Sequence, residues 1–512
     1  MTGRRRIAVI GAGMAAARFA QQTLAQAPPG ALDLTLYGHE PHAPYNRALL
    51  AGVLDGRYPP EALTLPTGGA TIRTGTEVVA VDTAAHTLHT ASGETHTYDT
   101  LVLATGANPV LPPIRNLHTS LIAAPLGHPA PPAAPFGRPA SAAAPSAPPL
   151  AAPPPWAAGP PPGGGTGGQG GGPSRSRPTP GTPAQPRHRP PTPAKPPART
   201  RTAETPPHAD LKQGVHPFRT LSDCTRLAEA TATLSTTPRA IVIGGGLLGV
   251  SATRALTALG LPTELIHQAP YLMERHLDEQ AATTVRRALE SMGAAVYTDN
   301  RARALHGTTT VTGVELANGH VLSCDLVVLA CDLVVLACGV RPRTGLARAA
   351  GIEVRRGIVV DDTLATSAPD VYAIGDCTEH RGAVHGVTGP AWAQADTLAA
   401  RLSGADPYAA YTGAHAAARL TAGALEIAAF GEVTDSAGDA LRLADGTRGA
   451  YGSYKKLVMR GDRLVGAILV GDLTAIGDLT RTYERGEPLP PRPLDLLTPF
   501  PELPELPEGA AL

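Results

Sequence analysis

Twice in this 512-residue chain an apolar strand runs into a glycine-rich turn and leaves it as a helix. The first copy reads Ile7-Ala8-Val9-Ile10-Gly11-Ala12-Gly13-Met14-Ala15-Ala16, and the second Ala240-Ile241-Val242-Ile243-Gly244-Gly245-Gly246-Leu247-Leu248-Gly249. In such a turn the first glycine (Gly11, Gly244) makes the tight bend, and the second (Gly13, Gly246) lets the backbone approach a diphosphate. The small third residue (Ala16, Gly249) lets the helix pack closely on the strand. The helix starts at Met14-Ala15 and Leu247-Leu248 then offer N–H donors and a positive helix end to the anion.

One such turn is a weak signal. Two complete ones in strand–helix context predict an α/β fold with two Rossmann-like dinucleotide-binding domains. After the first turn, a strand over 33–37 ends at Gly38-His39-Glu40, which makes Glu40 the candidate acceptor for adenosine ribose hydroxyls. After the second, the strand over 263–266 ends at His267 and not at an acid. A carboxylate there favours the free 2′-hydroxyl of NADH over the 2′-phosphate of NADPH, so the second site stays open between the two.

Lys+Arg and Asp+Glu both number 43, a net charge of +0 that gives no support for a nucleic-acid or membrane-surface partner. No run of 18 apolar residues occurs and Met1 leads straight into a strand, so the expectation is a soluble cytoplasmic protein without signal peptide. The five cysteines, Cys224, Cys324, Cys331, Cys338 and Cys377, form no CxxC or CxxxxC pair and no metal site. Residues 116–208 are dominated by Pro, Gly and Ala with Glu204 as their one acid, and read as a disordered insertion. The heptapeptide Cys-Asp-Leu-Val-Val-Leu-Ala occurs at 324–330 and again at 331–337, too long for one strand. The second copy, 332–337, is the expected buried strand because it leads into Gly339-Val340-Arg341-Pro342.

Two more segments complete a family pattern. Thr105-Gly106 closes an apolar run in the order Ala-Thr-Gly-x-x-Pro, and Thr366-Ser367-Ala368-Pro369-Asp370-Val371-Tyr372-Ala373-Ile374-Gly375-Asp376 lies near the other end. With the two glycine turns, this order resembles the FAD-dependent pyridine nucleotide-disulfide oxidoreductase superfamily. Pro44-Tyr45-Asn46-Arg47, Leu272-Met273-Glu274-Arg275-His276-Leu277-Asp278, Tyr454-Lys455-Lys456-Leu457-Val458 and Leu464-Val465-Gly466-Ala467 narrow the likeness. It is to the FAD/NAD(P)H part of assimilatory nitrite reductase large subunits and nitrate reductase electron transfer subunits.

The resemblance implies FAD and NAD(P)H as cofactors, with the NAD(P)H domain (209–343) inserted between two halves of the FAD domain (1–115 and 344–405). A smaller α+β interface domain (406–490) and a Pro-rich tail (491–512) follow. It implies that Arg47 lies on the FAD pyrophosphate and that Asp376 contacts the ribitol and pyrophosphate. Val78, Thr105, Gly106, Gly339 and Gly375 join the implied cofactor-binding set. The helix near Pro390-Ala391-Trp392 would aim its N-terminus at the flavin, with Trp392 read mainly as packing and His385 as a remote candidate. Hydride passes between the cofactors themselves, so no catalytic side chain is named. The implied partner is a separate redox protein: an iron–sulfur, sirohaem or molybdenum subunit, or a rubredoxin or ferredoxin. A homodimer is an allowed assembly. Departures are Ser251 in place of a glutamate, Gly52 in place of a lysine, and cysteines that supply no Cys₄ cluster. The alternatives are a rubredoxin or ferredoxin reductase, or a dinucleotide-binding structural subunit without turnover.

Overall fold

The strand Arg5–Ile10 is buried from Ile7 to Ile10 and forms the middle of a five-stranded sheet. A strand with neighbours on both edges and cover on both faces has no solvent side to keep polar, which suits the run Ile-Ala-Val-Ile. The order is Val371–Ala373, Thr100–Leu103, Arg5–Ile10, Leu32–Tyr37, Thr71–Arg73, and every pairing is parallel. This computed structural model describes residues 4–108, 114–117, 211–233, 238–329, 341–413, 417–422, 425–446 and 451–497.

The second sheet repeats the plan. Its order is Ala294–Tyr297, Thr263–Ile266, Ala240–Ile243, Leu326–Leu329, Val215–Pro217, again wholly parallel. Each sheet has a three-stranded antiparallel companion: Val78–Asp82, Thr87–Thr90 and Thr95–Thr97 in one case, Ala302–His306, Gly313–Leu316 and Val321–Ser323 in the other. The chain passes from the second half back to the first at a short antiparallel pair, Ala107–Asn108 with Arg341–Pro342. A third sheet, entirely antiparallel, runs Ala417–Ala422, Leu425–Gly431, Arg463–Val470, Ser453–Arg460, Asp439–Asp445, with the helix Ile476–Arg485 following it. The two Rossmann-like domains and the smaller third domain are therefore as the sequence implies.

The duplicated heptapeptide corrects one expectation. The strand beside Ala240–Ile243 is Leu326–Leu329, from the first copy, with Ala240 opposite Leu326 and Ile243 opposite Leu329. The second copy, with Gly339, lies outside the described residues. The reason is reach. Val321–Ser323 ends its hairpin just before Cys324, whose N–H donates to Thr312 O (3.1 Å). Asp325 then meets Arg239, its carboxylate accepting from the Arg239 N–H at 3.3 Å. The chain arrives at the sheet with the first copy in hand.

The 116–208 stretch is described only at its edge. Leu117 is buried, and the Lys212 N–H donates to its carbonyl at 3.2 Å. Folded chain therefore extends slightly past the expected boundary, and the two sides of the stretch 118–210 meet at one backbone hydrogen bond.

Candidate functional site

The first glycine turn is made by close contact. Gly11 has φ +117°, and a Cβ there would lie 2.1 Å from Ala104 O, so only glycine fits. Backbone bonds draw the strand ends together: Gly11 N–H to Tyr37 O (2.8 Å), Ala104 N–H to Ile10 O (2.8 Å) and Ile374 N–H to Leu103 O (3.0 Å). This is the carboxyl edge of a parallel sheet, where open α/β folds bind ligands. The helix Met14–Gln26 begins here with Gly13 as N-cap, no capping side chain and no acid in its first turn. A Cβ on Gly13 or on Gly106 would meet nothing within 4 Å, so the space over the turn is open. Ala16 is fully buried under the helix.

Gly375 brings the distant segment to the same place. It also has positive φ (+80°), and a Cβ on it would touch the Ala15 side chain at 3.0 Å. Its N–H donates to Gln394 Oε1 (2.7 Å), and Gln394 is buried in the helix Thr388–Ser403. That helix starts two residues before Pro390, and no side chain caps it. Trp392 lies in its first turns with the Arg18 guanidinium 5.9 Å from the ring centroid. The Trp392 indole N–H is buried and unpaired among the described residues. His385 is half-buried, and burial lowers its pKa.

Charge gathers beside this edge. Arg47 and Glu40 form an ion pair, and Tyr45 donates its hydroxyl to Glu40 at 2.7 Å. The Leu221 N–H in turn donates to Tyr45 (2.9 Å), and Arg47 donates to Arg219 O (3.3 Å). Arg219 stands 3.8 Å from Asp376. Arg343 bonds Asn108 through its side chain, while its carbonyl accepts from the Thr105 hydroxyl at 2.8 Å. Burial raises the Glu40 carboxyl, but Arg47 and Tyr45 outweigh it and hold it below the ordinary range. Burial first, and then the guanidiniums of Arg47 and Arg219, push Arg343 down.

Three guanidiniums, Arg47, Arg219 and Arg343, thus converge on two carboxylates, Glu40 and Asp376, with the exposed Glu77 a weaker influence. Guanidiniums gathered in a half-buried place suit paired phosphates, and the uncapped helix start supplies the rest of a diphosphate cradle. Of the residues anticipated from sequence, Gly11, Gly13, Met14, Ala15, Ala16, Glu40, Arg47, Thr105, Gly106, Gly375 and Asp376 meet at this edge. Val78 opens the neighbouring meander and packs against the same core. Sequence reasoning missed Arg219 and Arg343, which arrive from the other side of the chain crossing and carry no local signature.

The second turn is built alike. The Gly244 N–H donates to Ile266 O (2.9 Å), and the helix Leu247–Ala258 has Gly246 as N-cap with no capping side chain and no acid in its first turn. Leu248 and Gly249 continue that turn, and Ser251 is buried in the helix. This end also fits a phosphate. His267 at the end of the adjacent strand is buried, accepts from the Gly245 N–H at Nδ1 (3.0 Å) and lies 3.0 Å from Glu274 at Nε2. Among the described residues no group of three or more His, Cys, Asp or Glu could hold a metal ion. No helix among them is long and apolar enough to cross a membrane.

Comparison with known proteins agrees with this geometry. The profile of the family described as pyridine nucleotide-disulphide oxidoreductase matches residues 5–125 and 193–396. That of the rubredoxin NAD+ reductase C-terminal domain matches 417–487. A nitrite reductase [NAD(P)H] of Bacillus subtilis (strain 168) is 29% identical over 477 residues, 92% of this chain and 46% of the relative. The assimilatory nitrate reductase electron transfer subunit of the same organism is 28% identical over 476 residues, 92% of this chain and 48% of the relative. The chain spans about half the length of these curated relatives. Among solved structures, a ferredoxin reductase from Rhodopseudomonas palustris superposes with a TM-score of 0.66 at 21% identity, covering 97% of this chain and 99% of that one.

Proposed function

Because the chain belongs to the pyridine nucleotide-disulphide oxidoreductase family, we propose that it is an FAD-dependent reductase that takes electrons from NAD(P)H and delivers them to a separate redox protein. The carrying observation is the cradle itself: an uncapped helix over an open glycine turn, flanked by Arg47, Arg219 and Arg343. FAD and NAD(P)H, when bound, supply the electron-accepting ring and the hydride. The protein's own groups bind and orient. Gly11, Gly13 and the Met14-Ala15-Ala16 helix start hold a diphosphate together with Arg47, and Glu40 orients a ribose. Asp376 is fixed at the sheet edge by the Gly375–Gln394 bond for the flavin side chain. The uncapped start of Thr388–Ser403 stabilises negative charge near the ring. Gly244, Gly246, Leu247, Leu248 and Gly249 serve the nicotinamide dinucleotide. Residues 1–115 with 344–405, then 209–343, are the corresponding domains.

The exit for electrons is external in this reading. Cys224, Cys324 and Cys377 are buried free thiols, with burial pushing Cys224 and Cys324 up to about 12 and Cys377 upward as well. Thiols held protonated are poor redox partners for a flavin. Free thiols also suit a cytoplasmic setting. The acceptor is then an iron–sulfur protein or subunit, in nitrite or nitrate assimilation by analogy with the two Bacillus relatives. The match of 417–487 to a rubredoxin reductase domain favours rubredoxin as the second acceptor to try.

The test is optical. Purified protein is expected to be yellow, and its flavin absorbance to bleach anaerobically on adding NADH or NADPH. Colourless protein refractory to FAD, or flavin that stays oxidised under both nucleotides, would overturn the proposal.

A further inference from the structure

The second glycine turn carries a carboxylate that does not follow its strand in sequence. In the first turn the middle residue is Ala12, and the residue after the neighbouring strand is Gly38. A Cβ on Gly38 would strike the Ala12 Cβ at 2.6 Å. In the second turn the sizes are exchanged. The middle residue is Gly245, whose added Cβ would lie 2.7 Å from His267 Cγ and 2.6 Å from Leu272 Cδ2. Gly245 is therefore needed to admit an imidazole at the strand end. The ring is then fixed at both nitrogens. A backbone N–H can only donate, so Nδ1 accepts from Gly245 and the ring hydrogen sits on Nε2, directed at Glu274.

The segment bearing Glu274 is clamped to the same turn. Met273, buried and in the left-handed region at φ +53°, donates its N–H to Gly245 O at 2.9 Å and accepts from the N–H groups of His276 and Leu277. A non-glycine residue in that conformation persists only where its surroundings fix it. Burial raises the Glu274 carboxyl most, but His267, a backbone N–H and Arg275 together outweigh it and hold the group below the ordinary carboxylate range. The Glu274 side chain is 28% exposed, so it reaches solvent beside the turn while His267 is closed off at 3%.

Resting on the NAD(P)H reading of this turn, we propose that Glu274, positioned by His267, is the acid that reads the adenosine ribose of the nicotinamide nucleotide, and that it selects NADH over NADPH. An anion at this edge accepts from a 2′-hydroxyl and repels a 2′-phosphate. The exposed Arg275 next to it is the one charge in the segment that would act the other way.

The test avoids turnover. ADP-ribose and its 2′-phosphorylated counterpart are titrated calorimetrically into the purified full-length, FAD-loaded protein. ADP-ribose is expected to bind at least about tenfold tighter, the scale of one partly screened charge contrast. Glu274→Gln should bring the ratio within about threefold, chiefly by tightening the phosphorylated ligand. His267→Ala should lower the same ratio. Equal affinities in the unmodified protein, or a ratio untouched by Glu274→Gln, overturn the assignment alone. Tighter binding of the phosphorylated ligand overturns it in favour of Arg275. If neither ligand binds, the NAD(P)H reading falls with it.

Discussion

Asp472 sits 2.8 Å from Lys455, and both side chains are about 95% hidden from solvent. Burial alone would raise the acid, but Lys455 and the Thr474 hydroxyl and amide hold it at about 2. An acid depressed in the folded state contributes stability that is present above its unfolded value near 4 and is lost as pH falls toward about 2. The shift corresponds to about 2–3 kcal/mol. Thermal melts from pH 6 down to 2.5 should show the wild type losing stability over the lower part of that range. Asp472→Asn should start lower and flatten the curve, and an unchanged acid slope would disprove this account. Such pairs also mark the limit of reading sequence. Lys455 and Asp472 are adjacent in no local pattern, and neither are Arg219 and Asp376 or His267 and Glu274. By contrast Gly11, Gly13, Gly244 and Gly246 are legible because their task is local: a bend within a few residues that no Cβ tolerates.

A helix start shows how elements of different domains depend on one another. Asp278 caps the helix Glu279–Ser291, its Oδ1 accepting from the Ala281 N–H at 3.0 Å. Its other oxygen takes the Tyr454 hydroxyl at 2.7 Å and lies 3.1 Å from the Lys456 ammonium, which also donates to Val433 O at 2.7 Å. Lys456 is 1% exposed, so its partners are structural necessities. Asp278→Asn should keep the cap and lose the charge, whereas Asp278→Ala loses both. The alanine variant is expected to be less stable than the asparagine one by about 1 kcal/mol, read as the difference in urea midpoints. Equal midpoints would mean the cap adds nothing beyond the charge. Element order was legible from hydrophobic runs and turns, but choosing between two identical heptapeptides was not. Composition cannot distinguish copies, and the hairpin that delivers Leu326–Leu329 is a tertiary fact.

At the scale of the molecule, the second parallel sheet and the third sheet share one core with the segment from Tyr45 to Leu63, while the first parallel sheet has a core of its own. Tyr45 and Leu50 of the first part, Val242 and Leu265 of the second, and Ile427 and Tyr454 of the third belong to one buried cluster. The cofactor edges are held by backbone bonds among strands of the described residues, such as Gly11 to Tyr37 and Gly244 to Ile266. Replacing 118–210 by a short Gly/Ser loop is therefore expected to leave flavin content and melting temperature within about 2 °C of the parent. A colourless or destabilised product would show that the stretch has a structural task. The bond from Lys212 to the Leu117 carbonyl gives this a wider meaning. Because both ends leave the fold at one doorway, whatever lies between them can lengthen, shrink or be exchanged over generations without altering the path of any strand. Such a doorway is a place where change is cheap for selection to ignore, and where a reporter or affinity handle could be grafted.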